Sequence, residues 1–364
     1  MCTNYNKPTE TMTNKKKWFS LLLLLSFSEA HAQTDFIRVT ANDAESLLSA
    51  IEQANKQNKD STASRLYIMV PNGTYDLNNR VLTKITGHNI AIVGQSMRGT
   101  VIVNKPAVEN EGISKTATLL NRSTGLYLQD LTLKNALEYY KSGAAGRAVC
   151  LQDKGTRTIC KNVCMLSYQD TYYTDNEQGQ SYLENSEIHG TVDFICGAGD
   201  TYFNRCTIVT ERRNRDGSGR NVIAAPRTVG TLWGYVFESC TVYNRQSDFA
   251  WARGWKEQPH CTWLNTKLMS PEKLTKERFD PKGMRTIDSR FHEFHTMDVS
   301  GKDITPETNV LNFTLDKDSK EFQTVYTAEE AARYKLEEIF PGWRPEKMVR
   351  KMTKRAEWLK RLLF

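Results

Sequence analysis

This 364-residue chain lacks four features, each of which would have marked a different class of protein. No apolar run beyond residue 32 approaches the ~20 residues that cross a bilayer, so no transmembrane helix is expected. No zinc-type spacing is present, because Cys160 and Cys164 have no second pair with His to complete a tetrahedral site. The cysteines do not form an even set. Cys2 lies in the leader described below, and Cys150, Cys160, Cys164, Cys196, Cys206, Cys240 and Cys261 remain, an odd number that argues against a complete disulfide framework. Nor is the body basic. The net charge is +7, but the first 32 residues carry +2 and residues 344–364 carry +6, which leaves the centre near −1. Basicity confined to a tail does not mark a nucleic-acid-binding surface. No nucleic-acid partner, metal or cofactor is expected.

What is present begins with an export leader. Lys15-Lys16-Lys17 is a basic segment, Trp18 to Phe27 a short apolar run, and Ala30-His31-Ala32 a small-residue cleavage signal before Gln33. The apolar run is too short to span a membrane and no Cys follows it to take a lipid. The expectation is therefore an exported protein, secreted or periplasmic, monomeric, with no stable membrane anchor. The rest is 39% hydrophobic and 25% charged over the whole chain, enough apolar residue for a large folded core.

After a strand-like Phe36-Ile37-Arg38-Val39, the segment from Asp43 reads as a helix with Leu47, Leu48 and Ile51 on one face. Short strands follow at Tyr67–Val70, Thr74-Tyr75 and Asn89–Gly94. A weak repeat then appears: Leu131-Thr132-Leu133, Cys164-Met165-Leu166, Ser186-Glu187-Ile188, Cys206-Thr207-Ile208, Cys240-Thr241-Val242 and Thr266-Lys267-Leu268. The intervals run from 20 to 34 residues and the units alternate with period two, which describes a solenoid of strands, a parallel β-helix. A leucine-rich repeat would need a denser leucine consensus. Cysteines at repeated inward positions then read as small buried residues. The repeat fades after Pro281. Thr327 to Leu336 reads as a helix with a Thr N-cap, and Pro345 to Leu363 as a second with Met348, Met352, Trp358 and Leu362 among basic residues. The expected organisation is a leader over 1–32, a β-helix over 33–325 and helical capping over 326–364.

Two aspartates stand out. Asp170 lies in Gln169-Asp170-Thr171-Tyr172-Tyr173 and Asp193 in Gly190-Thr191-Val192-Asp193-Phe194-Ile195, both strand-like and rich in β-branched or aromatic residues. A carboxylate on such a strand is costly to bury unless paired or protonated. Neighbouring coils would bring the two together, and two close carboxylates separate in pKa. Arg253, within Phe249-Ala250-Trp251-Ala252-Arg253-Gly254-Trp255-Lys256, is a partner that would keep one of them charged. Arg212, Arg213, Arg215 and Arg220 occupy a Gly-rich loop that reads as a solvated loop or as a basic flank for an acidic polymer.

These motifs resemble those of pectin methylesterases. Gly190 to Gly197 is similar to their GTVDFIFG signature, Gln169 to Tyr173 to QDTLY, Arg147-Ala148-Val149-Cys150-Leu151 to QAVAL, Trp251 to Trp255 to LGRPW, and Gly73-Thr74-Tyr75 to an early G-x-Y, all in the same order. The resemblance runs from about Val39 to Trp343. It implies a right-handed parallel β-helix and hydrolysis of methyl esters on galacturonate units of pectin, with methylated polygalacturonate as partner. It further implies Asp193 as nucleophile, Asp170 as general acid and then base, Gln169 as oxyanion donor, Arg253 as the ion-pair partner of Asp193, and Trp255, Tyr172 and Phe194 against the sugar. Three positions depart from the pattern: Arg147 stands where the family has its first oxyanion glutamine, Gly254 where it has proline, and Cys196 where it has phenylalanine. Arg147 is expected to donate to the oxyanion, to bind a neighbouring free carboxylate of the polymer, or to sit as a second cation near Asp193 that lowers its nucleophilicity. Another pectin-active β-helix enzyme, a lyase or glycoside hydrolase, and a non-catalytic polysaccharide-binding solenoid remain as alternative readings.

Overall fold

The computed structural model describes residues 35–107, 112–142, 146–228, 233–255, 258–281, 290–315 and 317–364. The leader assigned to 1–32 lies outside the described residues. From Asp35 the chain winds as a right-handed parallel β-helix with three strand ladders per coil.

The first ladder stacks Leu66–Val70, Ile90–Gly94, Tyr127–Asn135, Thr158–Leu166, Gln180–Glu184, Asp200–Asn204, Tyr235–Glu238, His260–Leu264 and Arg290–Phe294. The second contains Gly73–Asp76, Thr100–Asn104, the far halves of Tyr127–Asn135 and Thr158–Leu166, then Glu187–Gly190, Thr207–Thr210, Thr241–Asn244 and Lys267–Leu268. The third, a separate sheet, contains Thr83–Ile85, Leu119–Asn121, Leu151–Asp153, Tyr172–Thr174, Val192–Gly197, Arg220–Pro226 and Asp248–Ala252.

One residue turns each coil from the first face to the second. Asp130, Asn162, Asn185, Arg205, Ser239, Asn265 and His295 occupy equivalent positions in successive coils, and all have φ between 48° and 54°. Asn and Asp tolerate this left-handed conformation because a short polar side chain bonds locally. Arg, Ser and His at the same corner show that stacking of the neighbouring coils overrides the local preference.

The interior is built from columns in strict register. One runs Leu128, Cys160, Leu183, Phe203, Phe237 and Trp263. Its rings stack face to face, Phe203 on Phe237 at 4.3 Å and Phe237 on Trp263 at 3.8 Å between centroids. The column ends on Glu293, fully buried and held by both guanidinium arms of Arg278. A second column is Leu133, Met165, Ile188, Ile208, Val242 and Leu268.

That second column corrects one unit of the repeat. Met165, not Leu166, falls in register, so the true unit is Val163-Cys164-Met165 and Cys164 points outward. The Cys-x-aliphatic likeness to Cys206 and Cys240 is one of residue type, not of position. The seven described cysteines are all buried and unbridged, and Cys150, Cys160, Cys206, Cys240 and Cys261 belong to the apolar interior.

Helix Ala44–Gln57 closes the first coil, capped by the Asp43 carboxylate accepting from the Ser46 amide, with Leu47, Ala50, Ile51 and Ala54 buried. At the other end the hairpin Val310–Leu315 and Asp318–Gln323 adds Leu311 to the core, with Phe322 packed against it. The helix read over Thr327–Leu336 is helical only at Ala328–Ala331, where Thr327 and Glu330 form a capping box. The chain then breaks so that the Tyr334 hydroxyl meets His260 at 3.1 Å and Thr262 at 3.0 Å, and helix resumes at Leu336–Ile339.

Helix Pro345–Leu363 forms with the expected bounds but does not cap an end. It lies along the outer surface of the first ladder. Val349, Met352, Ala356 and Leu359 cover Tyr67, Met69, Tyr127, Ile159 and Tyr182, while Trp358 and Leu362 are more than half exposed. The i, i+3/i+4 spacing of the buried set defines the docked stripe, and Trp358 falls off it. Among the described residues no helix is long and apolar enough to cross a membrane.

Candidate active site

On the third face, residues alternate between the interior and the outer surface. Leu119, Leu151, Tyr172, Ile195, Ala224 and Ala252 form the inward column; Leu120, Gln152, Tyr173, Cys196 and Ala225 form the outward one. Tyr172 and Phe194 are therefore fully buried, both in the apolar core. This corrects the expectation that they touch a sugar. The period of two puts Tyr173, one residue along, on the open side instead, 6.1 Å from Trp255 between ring centres.

Asp170 and Asp193 sit just before Tyr172 and within Val192–Gly197, with φ of 58° and 52°. At Asp193 the pairing of this strand with Arg220–Pro226 slips between Val192 and Ile195. Such a bulge re-aims a side chain: Phe194 turns in and the Asp193 carboxylate turns out. Gly190 makes this possible, because a Cβ there would lie 2.1 Å from Cβ of Phe194.

Six of the eight residues singled out from sequence come together here. Arg147, Gln169, Asp170, Asp193 and Trp255 line one cleft of about 400 Å³, with Gly112, Ile113, Cys196 and Ala225, and Arg253 pairs with Asp193. Arg253 Nε donates to Asp193 Oδ1 at 2.8 Å and Nη2 to Oδ2 at 2.5 Å, a bidentate ion pair. Arg147 bridges onto Gln169 in the next coil, and its Nε lies 3.9 Å from Asp170 Oδ2. The Gln169 side-chain oxygen is buried without a hydrogen-bond partner among the described residues.

The two carboxylates are each 5% exposed but differ electrically. Burial pushes Asp170 up to about 8, helped by the charge of Asp193 and opposed by Arg147. Asp193 is also raised by burial, but it carries the direct hydrogen bonds and charge of Arg253, with a smaller pull from Arg213. Of the pair, Asp170 is the one to hold a proton and Asp193 the one to stay anionic. An anionic carboxylate, a neutral carboxylic acid and amide and guanidinium donors around one cleft can attack a carbonyl, protonate its leaving group and stabilise the oxyanion between.

Trp255 is flanked by Tyr173 and by Arg227, whose guanidinium carbon lies 5.6 Å from the indole centre while pairing with Asp175 and Glu177 at 2.6 and 2.7 Å. Sequence reasoning named the loop of Arg213 without tying it to Asp193, and missed Tyr173 and Ile113. The alternation of the third-face strand was the available signal for Tyr173; none marked Ile113.

Residues 37–283 match the family model described as Pectinesterase. Pectinesterase A of Dickeya dadantii is 26% identical, covering 90% of this chain and 96% of its own. Pectinesterase 3 of Solanum lycopersicum is 29% identical over 49% of this chain, and probable pectinesterase 49 of Arabidopsis thaliana 25% over 63%. The chain spans 31% and 60% of the lengths of those two plant proteins. Among solved structures, the pectin methylesterase of Erwinia chrysanthemi superposes with a TM-score of 0.62 at 22% identity over 81% of this chain and 93% of its own. The carrot enzyme gives 0.62 at 19%, over 80% and 89%. At these identities the structural likeness bears on the fold.

Proposed function

The chain belongs to the pectinesterase family, and from that premise we propose that it hydrolyses methyl esters on galacturonate units of pectin or a related pectic polysaccharide. The observation that carries the reading is the unequal carboxylate pair: Asp193 held by both arms of Arg253, and Asp170 raised to about 8 beside it.

In the proposed cycle Asp193 attacks the C6 ester carbonyl. Charge develops on the carbonyl oxygen, where the Gln169 amide and the Arg147 guanidinium donate. As the tetrahedral intermediate collapses, Asp170 gives its proton to the departing methanol and becomes a carboxylate. That carboxylate then takes a proton from water, which attacks the acyl-aspartate and releases free galacturonate and Asp193. Each proton is accounted for within the pair. Trp255, with Tyr173 beside it, offers an aromatic wall to a pyranose face, and the cation of Arg147 at the cleft edge suits a polymer whose neighbouring units are already de-esterified. A polysaccharide is met outside the cell membrane, in keeping with the export leader read from sequence, and the protein is taken to act as a monomer.

The test is methanol release from methyl-esterified polygalacturonate. The wild type is expected to release methanol and Asp193→Ala to lose at least ~10³-fold in rate, as expected for removal of a nucleophile. Release unchanged in that variant, or no release by the wild type on any pectic ester, overturns the reading.

A further inference from the structure

Away from the cleft, the outward column of the second face reads Thr132, Cys164, Glu187, Thr207 and Thr241. The column continues to Val101 on one side and Lys267 on the other, and only at Cys164 and Glu187 does it set a thiol beside a carboxylate. His189, two residues beyond Glu187, shares its side of the sheet. One donor atom from each of Cys164, Glu187 and His189 lies within 4.8 Å of the other two.

The surroundings are those of a ligand set. The His189 ring is fixed through Nδ1 by the Glu211 carboxylate at 2.6 Å, the outer-shell arrangement that sets the tautomer and direction of a metal-bound imidazole. Its Nε2 is hydrogen-bonded to the Glu187 carboxylate, a bond that an ion between the two would replace. Cys164, buried like the other cysteines, has its sulfur in a polar setting, accepting from Arg98 Nη1 at 3.1 Å, and Arg98 Nη2 pairs with Glu187. Arg98 is the only part of this assembly with a mostly exposed side chain, at 59%. It covers the cluster from solvent and can swing away without moving the backbone.

We propose that Cys164, Glu187 and His189 form a binding site for a zinc-class divalent cation, with Glu211 as outer-shell partner and Arg98 as the side chain that the ion displaces. A thiolate, an imidazole and a carboxylate are the mixed donors that borderline-soft Zn²⁺ takes, about 2.0–2.3 Å from the ion and so roughly 3.3–3.8 Å from each other. Side-chain adjustment of about 1 Å closes the present set to that spacing. Binding exchanges the thiol proton and any imidazolium proton for the ion. Cys164 lies 23 and 25 residues before Glu187 and His189 and meets them only through coil stacking, so no Cys/His spacing marks the set. The ion would clamp the strands that lead into both carboxylates: Cys164 is six residues before Asp170, and His189 four before Asp193.

The full mature chain, stripped with chelator, is titrated with Zn²⁺ and with Co²⁺ as a spectroscopic probe. The expected result is one equivalent bound, a thiolate-to-cobalt charge-transfer band, and a melting temperature that rises with free Zn²⁺. Cys164→Ser abolishes the band. Glu211→Gln weakens binding ~10–100-fold, the usual effect of losing an outer-shell partner. Arg98→Ala, which leaves all three ligands in place, tightens binding by removing the cation that competes for Cys164 and Glu187. The proposal is overturned if neither the wild type nor Arg98→Ala binds Zn²⁺ stoichiometrically, if cobalt binds without a thiolate band, or if Cys164→Ser binds as the wild type does. None of these readouts depends on esterase activity.

Discussion

The first and third faces of the solenoid are the same kind of parallel ladder, yet their outer surfaces have opposite fates. On the first, the outward residues are Tyr67, Tyr127, Ile159, Tyr182 and Val236, and helix Pro345–Leu363 covers them with Val349, Met352, Ala356 and Leu359. On the third, the outward side is left open and carries Asp170, Asp193 and Trp255 around a cleft. The covered face relies on apolar complementarity, with ion pairs of Lys360 to Asp130 and Arg355 to Asp35 beside it. The open face has to hold two nearly buried carboxylates, and does so with a bulge, two left-handed residues and one guanidinium. Stability is concentrated on one side and electrostatic tension on the other.

Breaking the tension is expected to have the largest effect. Asp170→Asn removes the acid–base group and should lower the rate of methanol release by ~10²–10⁴-fold, the usual contribution of a positioned general acid. The same change should stabilise the fold. A carboxyl whose folded pKa lies near 8 binds a proton more tightly folded than unfolded, so its contribution to stability is greatest below the unfolded value near ~4 and declines as pH rises to about 8. Asparagine mimics the protonated form at every pH. The melting-temperature gain of the variant over wild type should therefore be absent near pH 4 and grow toward pH 8; a gain independent of pH refutes the assignment.

On the covered face the opposite pattern is expected. Leu359→Ala, at a fully buried contact between helix and ladder, should cost ~2–4 kcal/mol in denaturant unfolding while leaving the rate per folded molecule unchanged. A rate loss in this variant would show that the two faces are coupled through the interior.

The smallest effect sharpens the comparison within the cleft. The charge of Arg147 lowers Asp170 against its burial. Arg147→Gln should move the alkaline limb of the pH–rate profile, where Asp170 loses its proton, upward by ~0.5–1 unit. A limb that stays in place means that Arg147 is oriented to substrate rather than to Asp170.

The site was more legible than the surfaces around it. Motif order marked Gln169, Asp170, Asp193, Arg253 and Trp255, because the chemistry needs those residue types and strand periodicity limits where they can stand. Tyr172 and Phe194 were misread for one reason: the left-handed residues and the bulge reset the alternation, and neither is visible in residue type. On helix Pro345–Leu363, Trp358 and Leu362 are as apolar as the residues that dock, and only the surface of the first ladder selects among them.

By itself, then, the order of residues determined the solenoid, because period-two strands at 20–34-residue intervals can bury their apolar side only by stacking on one another. It also determined the chemical types in the cleft. Tertiary structure alone decided which coil lies on which. That choice set the 3.9 Å approach of Arg147 to Asp170, the ion pair across 60 residues between Arg253 and Asp193, and the meeting of Cys164 with His189. Distances between coils depend on register and on loops of variable length, and no local propensity encodes them.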